Sequence, residues 1–141
     1  ISACLVGSEM CIRDRSFVPE LSLVAVKNDE IVGHILFTVG TVGEEAVLVL
    51  APLSVKPSYQ RMGIGKALVK RGHEIARTSG YGYVFVLGSE HYYPKFGYVP
   101  ASTLGFEVPE GFPDINFMAI KLRDDAPQLK GILVYPEEFG I

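Results

Sequence analysis

Cysteine is scarce in this chain of 141 residues: there are two, Cys4 and Cys11, both in the first stretch. That excludes a disulfide framework and a Cys-x-x-Cys metal site, so no metal is expected and a reducing cytoplasm is the default compartment. Long apolar runs are missing too; none approaches the ~20 residues that cross a bilayer. Nor is there a cationic excess. Thirteen Lys and Arg stand against 16 Asp and Glu, a net charge of −3, which gives no reason to expect nucleic-acid or membrane-surface binding. Repeats, low-complexity tracts and interdomain linkers are absent. A hydrophobic fraction of 48% over this length fits one globular domain with a substantial core.

Residues 1–15, ISACLVGSEMCIRDR, lack an initiator Met and a helical or strand period. They also lack the basic start and small-residue cleavage site of a signal peptide. They read as translated adapter or cloning sequence fused to a truncated gene. The native domain is therefore expected over residues 16–141, and the cysteines carry no functional weight.

The pattern of the remainder predicts an antiparallel hairpin over residues 21–26 and 31–39, with His34 in its second strand as a structural residue. Residues 46–55 form a third strand whose apolar run suits burial on both faces. Pro52 interrupts it. Proline has no N–H for the ladder, so this strand must bulge or part from a neighbour, leaving backbone groups of Leu53, Ser54 and Val55 for another partner. A helix over 63–79 presents Ile64, Leu68, Gly72, Ile75 and Ser79 on one face, and Gly72 there requires the helix to lie close to the sheet. Gly80 ends it. Residues 83–87 are a second continuously apolar strand, parallel to the first through a right-handed crossover. A short helix ending at Gly97, an irregular loop over 100–114 carrying Phe106 and Phe112, and strands at 115–122 and 129–135 complete the chain. Those loop aromatics either line a pocket or close a core.

The chain is organised around residues 54–68, SVKPSYQRMGIGKAL. Unpaired N–H groups at the helix start point outward toward an anion. From Lys56 to Arg71 there are five cations, Lys56, Arg61, Lys66, Lys70 and Arg71, and no Asp or Glu. The spacing excludes a Walker A loop, because the glycines are two apart and Lys66 precedes Ala67. It also excludes a dinucleotide fingerprint, because Leu68 stands at the third glycine position.

The pattern Val55-x-Pro57-x-Tyr59-Gln60-Arg61-x-Gly63-Ile64-Gly65-x-x-Leu68 resembles the acetyl-coenzyme A loop of the GNAT N-acetyltransferase superfamily. Tyr93-Pro94-Lys95-Phe96-Gly97-Tyr98 is similar to a second segment of that family, a Tyr-x-Lys-x-Gly-Phe run. The resemblance implies an α/β (α+β) fold: a mixed, mostly antiparallel twisted sheet with a central parallel βαβ pair splayed at the cofactor site. It also implies that the usual N-terminal strand and helices, which wall the acceptor site, are truncated here.

By the same resemblance, acetyl-coenzyme A is the cosubstrate. Leu53, Ser54 and Val55 would pair with its pantetheine arm. The loop from Gln60 through Arg61, Met62, Gly63, Ile64 and Gly65 to Lys66 would hold the pyrophosphate, with Arg61 and Lys66 adding charge. The glycines keep Cβ atoms away from the phosphates. A primary amine, small molecule or peptide, would attack the thioester directly in a ternary complex. Tyr93 is the candidate proton donor to the thiolate, with Tyr92 beside it as the alternative. Glu90, His91 or a water relay is left to accept the amine proton. A homodimer is compatible with the resemblance, and a non-catalytic acyl-coenzyme A-binding module is the competing reading.

Overall fold

The computed structural model describes the backbone of residues 2–4, 11–17 and 20–135 and the side chains of 22–135. Strands β1 (Ser2–Cys4), β2 (Cys11–Phe17), β3 (Glu20–Lys27), β4 (Glu30–Val42) and β5 (Glu45–Val55) follow one another as antiparallel neighbours. The helix α1 (Ile64–Thr78) then crosses to β6 (Tyr83–Leu87), which pairs with β5 in parallel, as the apolar patterning of both strands requires. Beyond them come β7 (Val99–Pro100), β8 (Phe106–Glu107), β9 (Phe117–Lys121) and β10 (Gly131–Val134). The sheet runs β1-β2-β3-β4-β5-β6-β9-β7, with β10 joining β4 and β8.

The stretch read as adapter sequence, in which no strand period is visible, supplies β1 and part of β2. Cys11 to Phe17 pair with Val26 to Glu20 on β3. The edge of β3 offers a row of backbone donors and acceptors that an extended segment can join without any side-chain period.

Alternation along β6 divides the core. Val84 and Val86 join Leu23, Ile35, Phe37, Leu50 and Leu68 beneath α1. Tyr83 and Phe85 face the other way, onto Phe106, Phe117 and Leu133. Phe106 meets Phe85 edge-on at 4.7 Å, and Phe112 lies 5.7 Å from Phe117, so the loop aromatics close this second core. The buried stripe of α1 is Ile64, Leu68, Val69, Gly72, His73 and Ala76. It is rotated from the expected face, because Ser79 is exposed and Ile75 is half-buried.

A Cβ at Gly72 would overlap the ring of Phe37. Alanine gains about 1 kcal/mol of helix propensity there, but overpacking costs about 1–3 kcal/mol. Gly72→Ala is therefore expected to lower the urea midpoint of unfolding despite its better propensity; a raised midpoint would show that the ring can move aside.

Candidate active site

Pro52 has the effect its chemistry demands. Ile35 pairs with Leu53 and Phe37 with Leu50, so β5 carries one residue more than β4 between those pairs. On its other side β5 meets β6 only through Leu48↔Val84 and Val49↔Phe85, and beyond that the strands part. The Lys56 N–H donates to Val32 O at 2.8 Å. By the period of two, Ser54 also turns its backbone toward β4, while Leu53 and Val55 turn theirs toward the opening. The Val55 carbonyl there accepts from Gln60 Nε2 at 3.1 Å.

The mouth of the opening is the start of α1. Gly63 caps the helix at φ 82°, and Arg61 stands at φ 64°, a conformation that is costly for a side-chain-bearing residue. No atom lies within 4 Å of a Cβ built on Gly63, so glycine is required there by its dihedral rather than by space. Gly65 is the reverse case. Its Cβ would stand 2.9 Å from Tyr92 Oη and 3.7 Å from Val55. The first helical bond runs from Ala67 N–H to Gly63 O. The amides before it have no intrahelical acceptor, no side chain caps them, and no acid occupies the first turn.

A cleft of about 440 Å³ follows, lined by Leu53, Val55, the loop from Tyr59 to Lys66 apart from Met62, and Tyr92 and Lys95. Of the expected cofactor residues, Leu53, Val55, Gln60, Arg61, Gly63, Ile64, Gly65 and Lys66 line it; Ser54 and Met62 do not. Met62 is 54% exposed. Lys56 pairs with Glu30 and Arg71 with Glu74, so neither is a free cation of the loop. Among the described residues, Arg61, Lys66 and Lys70 have no carboxylate partner within salt-bridge distance.

A second cavity of about 460 Å³ shares Lys66, Tyr92 and Lys95 with the first and adds Lys70, His73 and Phe96. Sequence reasoning gave His73 no role, although Lys66, Lys70 and His73 follow at helical spacing on one face. His73 Nε2 is 2.8 Å from Tyr98 Oη in the core. Burial, and then the charge of Arg77, lower His73 to about 4. Above the unfolded value near 6.5 the ring is neutral in both states and adds nothing, whereas below it only the unfolded state takes up the proton, which costs the fold about 3 kcal/mol by pH 4. Urea unfolding should therefore show stability declining over that window, with a shallower decline in His73→Leu.

Tyr92 and Tyr93, whose rings meet edge-on at 5.1 Å, have different surroundings. Tyr92 reaches the helix start at Gly65, whereas Tyr93 lines neither cavity. Its ring packs on Gly88, just past the end of β6, where a Cβ would be 2.5 Å from it. From the parallel register Val49↔Phe85, Gly88 is level with Pro52, at the inner end of the opening. Burial pushes the Tyr93 phenol up, and the neighbouring Tyr92 adds to that, so it stays protonated at neutral pH. Glu90 is tied to the same place. Asn116 Nδ2 donates to Glu90 Oε2 at 2.5 Å and to Gly88 O at 3.0 Å. His34, by contrast, bonds Ser22 Oγ at 2.8 Å and is structural. Among the described residues no cluster of three His, Cys, Asp or Glu could hold a metal, and no helix is long and apolar enough to cross a membrane.

The splayed parallel pair with a glycine-rich helix start at its mouth is the arrangement that the sequence resemblance implies. The model of the acetyltransferase (GNAT) family matches residues 7–98, and the chain belongs to that family. It is 43% identical over 108 residues to the uncharacterized N-acetyltransferase YjhQ of Escherichia coli K12, a match covering 73% of this chain and 60% of YjhQ. With the uncharacterized N-acetyltransferase YhbS of the same organism it shares 30% over 133 residues, 92% of this chain and 79% of YhbS. The crystal structure of E. coli YhbS in complex with CoA superimposes with a TM-score of 0.85 at 22% identity, over 96% of this chain and 94% of that one. A GNAT family acetyltransferase from Brucella melitensis, solved with acetyl-CoA, gives 0.67 at 29% identity, over 84% and 68%.

Proposed function

We propose that this chain is an N-acetyltransferase that moves the acetyl group of acetyl-coenzyme A to a primary amine by direct attack in a ternary complex. The observation that carries this reading is the two-residue pairing of β5 with β6, which leaves the backbone of Leu53 and Val55 facing a cleft that ends at the α1 amides. The residues present fit the cosubstrate. Leu53 and Val55 would pair with the amides of an extended arm, and the amides from Gly63 to Lys66 would hold a pyrophosphate, with Arg61 and Lys66 supplying charge. Gly65 leaves the room that a Cβ would take.

When bound, acetyl-coenzyme A supplies a thioester whose carbonyl carbon takes the amine nitrogen as its C–S bond breaks. Tyr93 would give its phenolic proton to the departing thiolate and regain one from solvent. Its place at the inner end of the opening favours it over Tyr92, which sits at the helix start. The amine reaches the reaction having lost one proton to solvent or a carboxylate and loses the second after attack.

Calorimetric titration with acetyl-coenzyme A, followed by thiol release across an amine panel, tests the proposal. Absence of binding at high micromolar ligand would sink it. Binding without thiol release from any amine would favour a non-catalytic acyl-coenzyme A-binding module.

A further inference from the structure

The cleft at the helix start accounts for only part of the space beside α1. The second cavity, of about 460 Å³, adjoins it through Lys66, Tyr92 and Lys95 and reaches Lys70, His73 and Phe96. One wall is a single face of α1, where Lys66, Lys70 and His73 follow at spacings of four and three. The other is the short turn after β6 that carries Tyr92, Lys95 and Phe96.

This hollow carries charge of one sign. Lys66, Lys70 and Lys95 line it, and among the described residues no Asp or Glu does. Glu74, four residues beyond Lys70 on the helix, is held by Arg71 at 3.0 Å instead, and Glu90 accepts from Asn116. Ammonium groups gathered at one hollow repel each other, and a multiply charged anion between them replaces that repulsion with attraction. His73 adds no charge: it is buried, 2.8 Å from Tyr98 Oη, and neutral at pH 7. The rest of the lining is aromatic. Tyr92 and Phe96 are partly buried, with their rings 5.3 Å apart at 65°.

The spacing bears on which anion fits. A pyrophosphate on the amides from Gly63 to Lys66 would lie at the helix start, and Lys70 stands four residues further along the axis, a rise of about 6 Å from Lys66. Coenzyme A carries a second phosphate group one sugar ring away from its pyrophosphate, on the ribose 3′ oxygen, with adenine beside it. Such a phosphate monoester bears a charge of about −1.5 to −2 at pH 7. Aromatic rings beside it suit the flat face of a purine.

We propose that the second cavity takes the ribose 3′-phosphate of the cosubstrate, with Lys70 as the residue that selects it and Lys66 and Lys95 shared between the two phosphate sites. This rests on the acetyl-transfer reading and adds a donor preference to it. A thioester carried on 4′-phosphopantetheine alone would fill the cleft, leave this cavity empty and be a poor donor.

Calorimetric titration with coenzyme A and with 3′-dephospho-coenzyme A, in phosphate-free buffer, tests it on the wild-type protein and on Lys70→Met. Methionine removes the charge while keeping the helix propensity of lysine. The wild type should bind coenzyme A about tenfold more tightly than the dephospho form. In Lys70→Met that ratio should fall to about threefold or less, through weaker binding of coenzyme A alone, with the melting temperature in place. Lys70→Arg should keep the preference, since guanidinium also pairs with phosphate. Equal wild-type affinity for the two ligands would overturn the assignment and leave the acetyl-transfer reading standing. So would an equal loss of both affinities in Lys70→Met, which would place Lys70 at the pyrophosphate. No binding of either ligand would overturn both.

Discussion

Gly65→Glu is expected to abolish measurable acetyl-coenzyme A binding, with affinity falling at least ~100-fold, or about 2.7 kcal/mol. Two effects act together. The new Cβ would stand 2.9 Å from Tyr92 Oη, and the longer side chain would extend into the cleft beyond it. Its carboxylate would then compete with the pyrophosphate for Arg61, Lys66 and the helix amides. Stability should move the other way. Gly65 lies in the first turn of α1 and is not among the residues with positive φ, so glutamate there gains helix propensity and a favourable interaction with the dipole. Gly65→Ala should be intermediate, because the hydroxyl it meets is the far end of a side chain that can turn aside. Calorimetry on both variants, with melting temperatures alongside, separates a blocked site from a damaged fold. Unchanged affinity in Gly65→Glu would place the pyrophosphate elsewhere.

The features legible in the sequence were those whose chemistry is local. Pro52 cannot donate to a ladder, and the register slip between Ile35/Leu53 and Phe37/Leu50 follows from that one residue. Gly63 and Gly65 announce a helix start that a ligand can approach, and the structure separates their reasons: dihedral for one, space for the other. The parallel crossover was legible because both of its strands are apolar on both faces. The remainder depends on partners distant in the chain. Lys56 counted as a loop cation until Glu30 came beside it across the hairpin. Asn116 braces Glu90 from 26 residues away, and Tyr98 meets His73 across 25; no spacing rule links either pair. Strands β7 and β8, of two residues each, are too short to show any period, so the 100–114 stretch read as a plain loop. Lys95 lay within the second family-like segment and Tyr92 just before it, but only the folded turn puts them on the cleft while turning Tyr93 onto Gly88.

That separation of neighbours makes Tyr93→Phe the most informative change to the chemistry. In the proposed scheme loss of its hydroxyl would remove a donor without removing the ring that packs on Gly88 and lies 5.7 Å from Tyr98. Turnover should fall about 100-fold, the lower end of what a positioned general acid contributes. The lower end is expected for a physical reason. From an ordinary phenol near ~10 to an alkyl thiolate near ~8.5, proton transfer is already uphill by about 2 kcal/mol, and burial pushes Tyr93 further up. In the proposed scheme such a donor would therefore help chiefly by stabilising charge as the thiolate develops, rather than by giving up its proton early. Acetyl-coenzyme A affinity should be unchanged, since Tyr93 lines neither cavity, whereas Tyr92→Phe removes a hydroxyl at the helix start and should act on affinity while sparing turnover. Single-turnover rates and calorimetry on the two variants decide between them. An unaltered rate in Tyr93→Phe with a depressed one in Tyr92→Phe would move the donor one residue toward the loop and the thioester toward the outer end of the cleft.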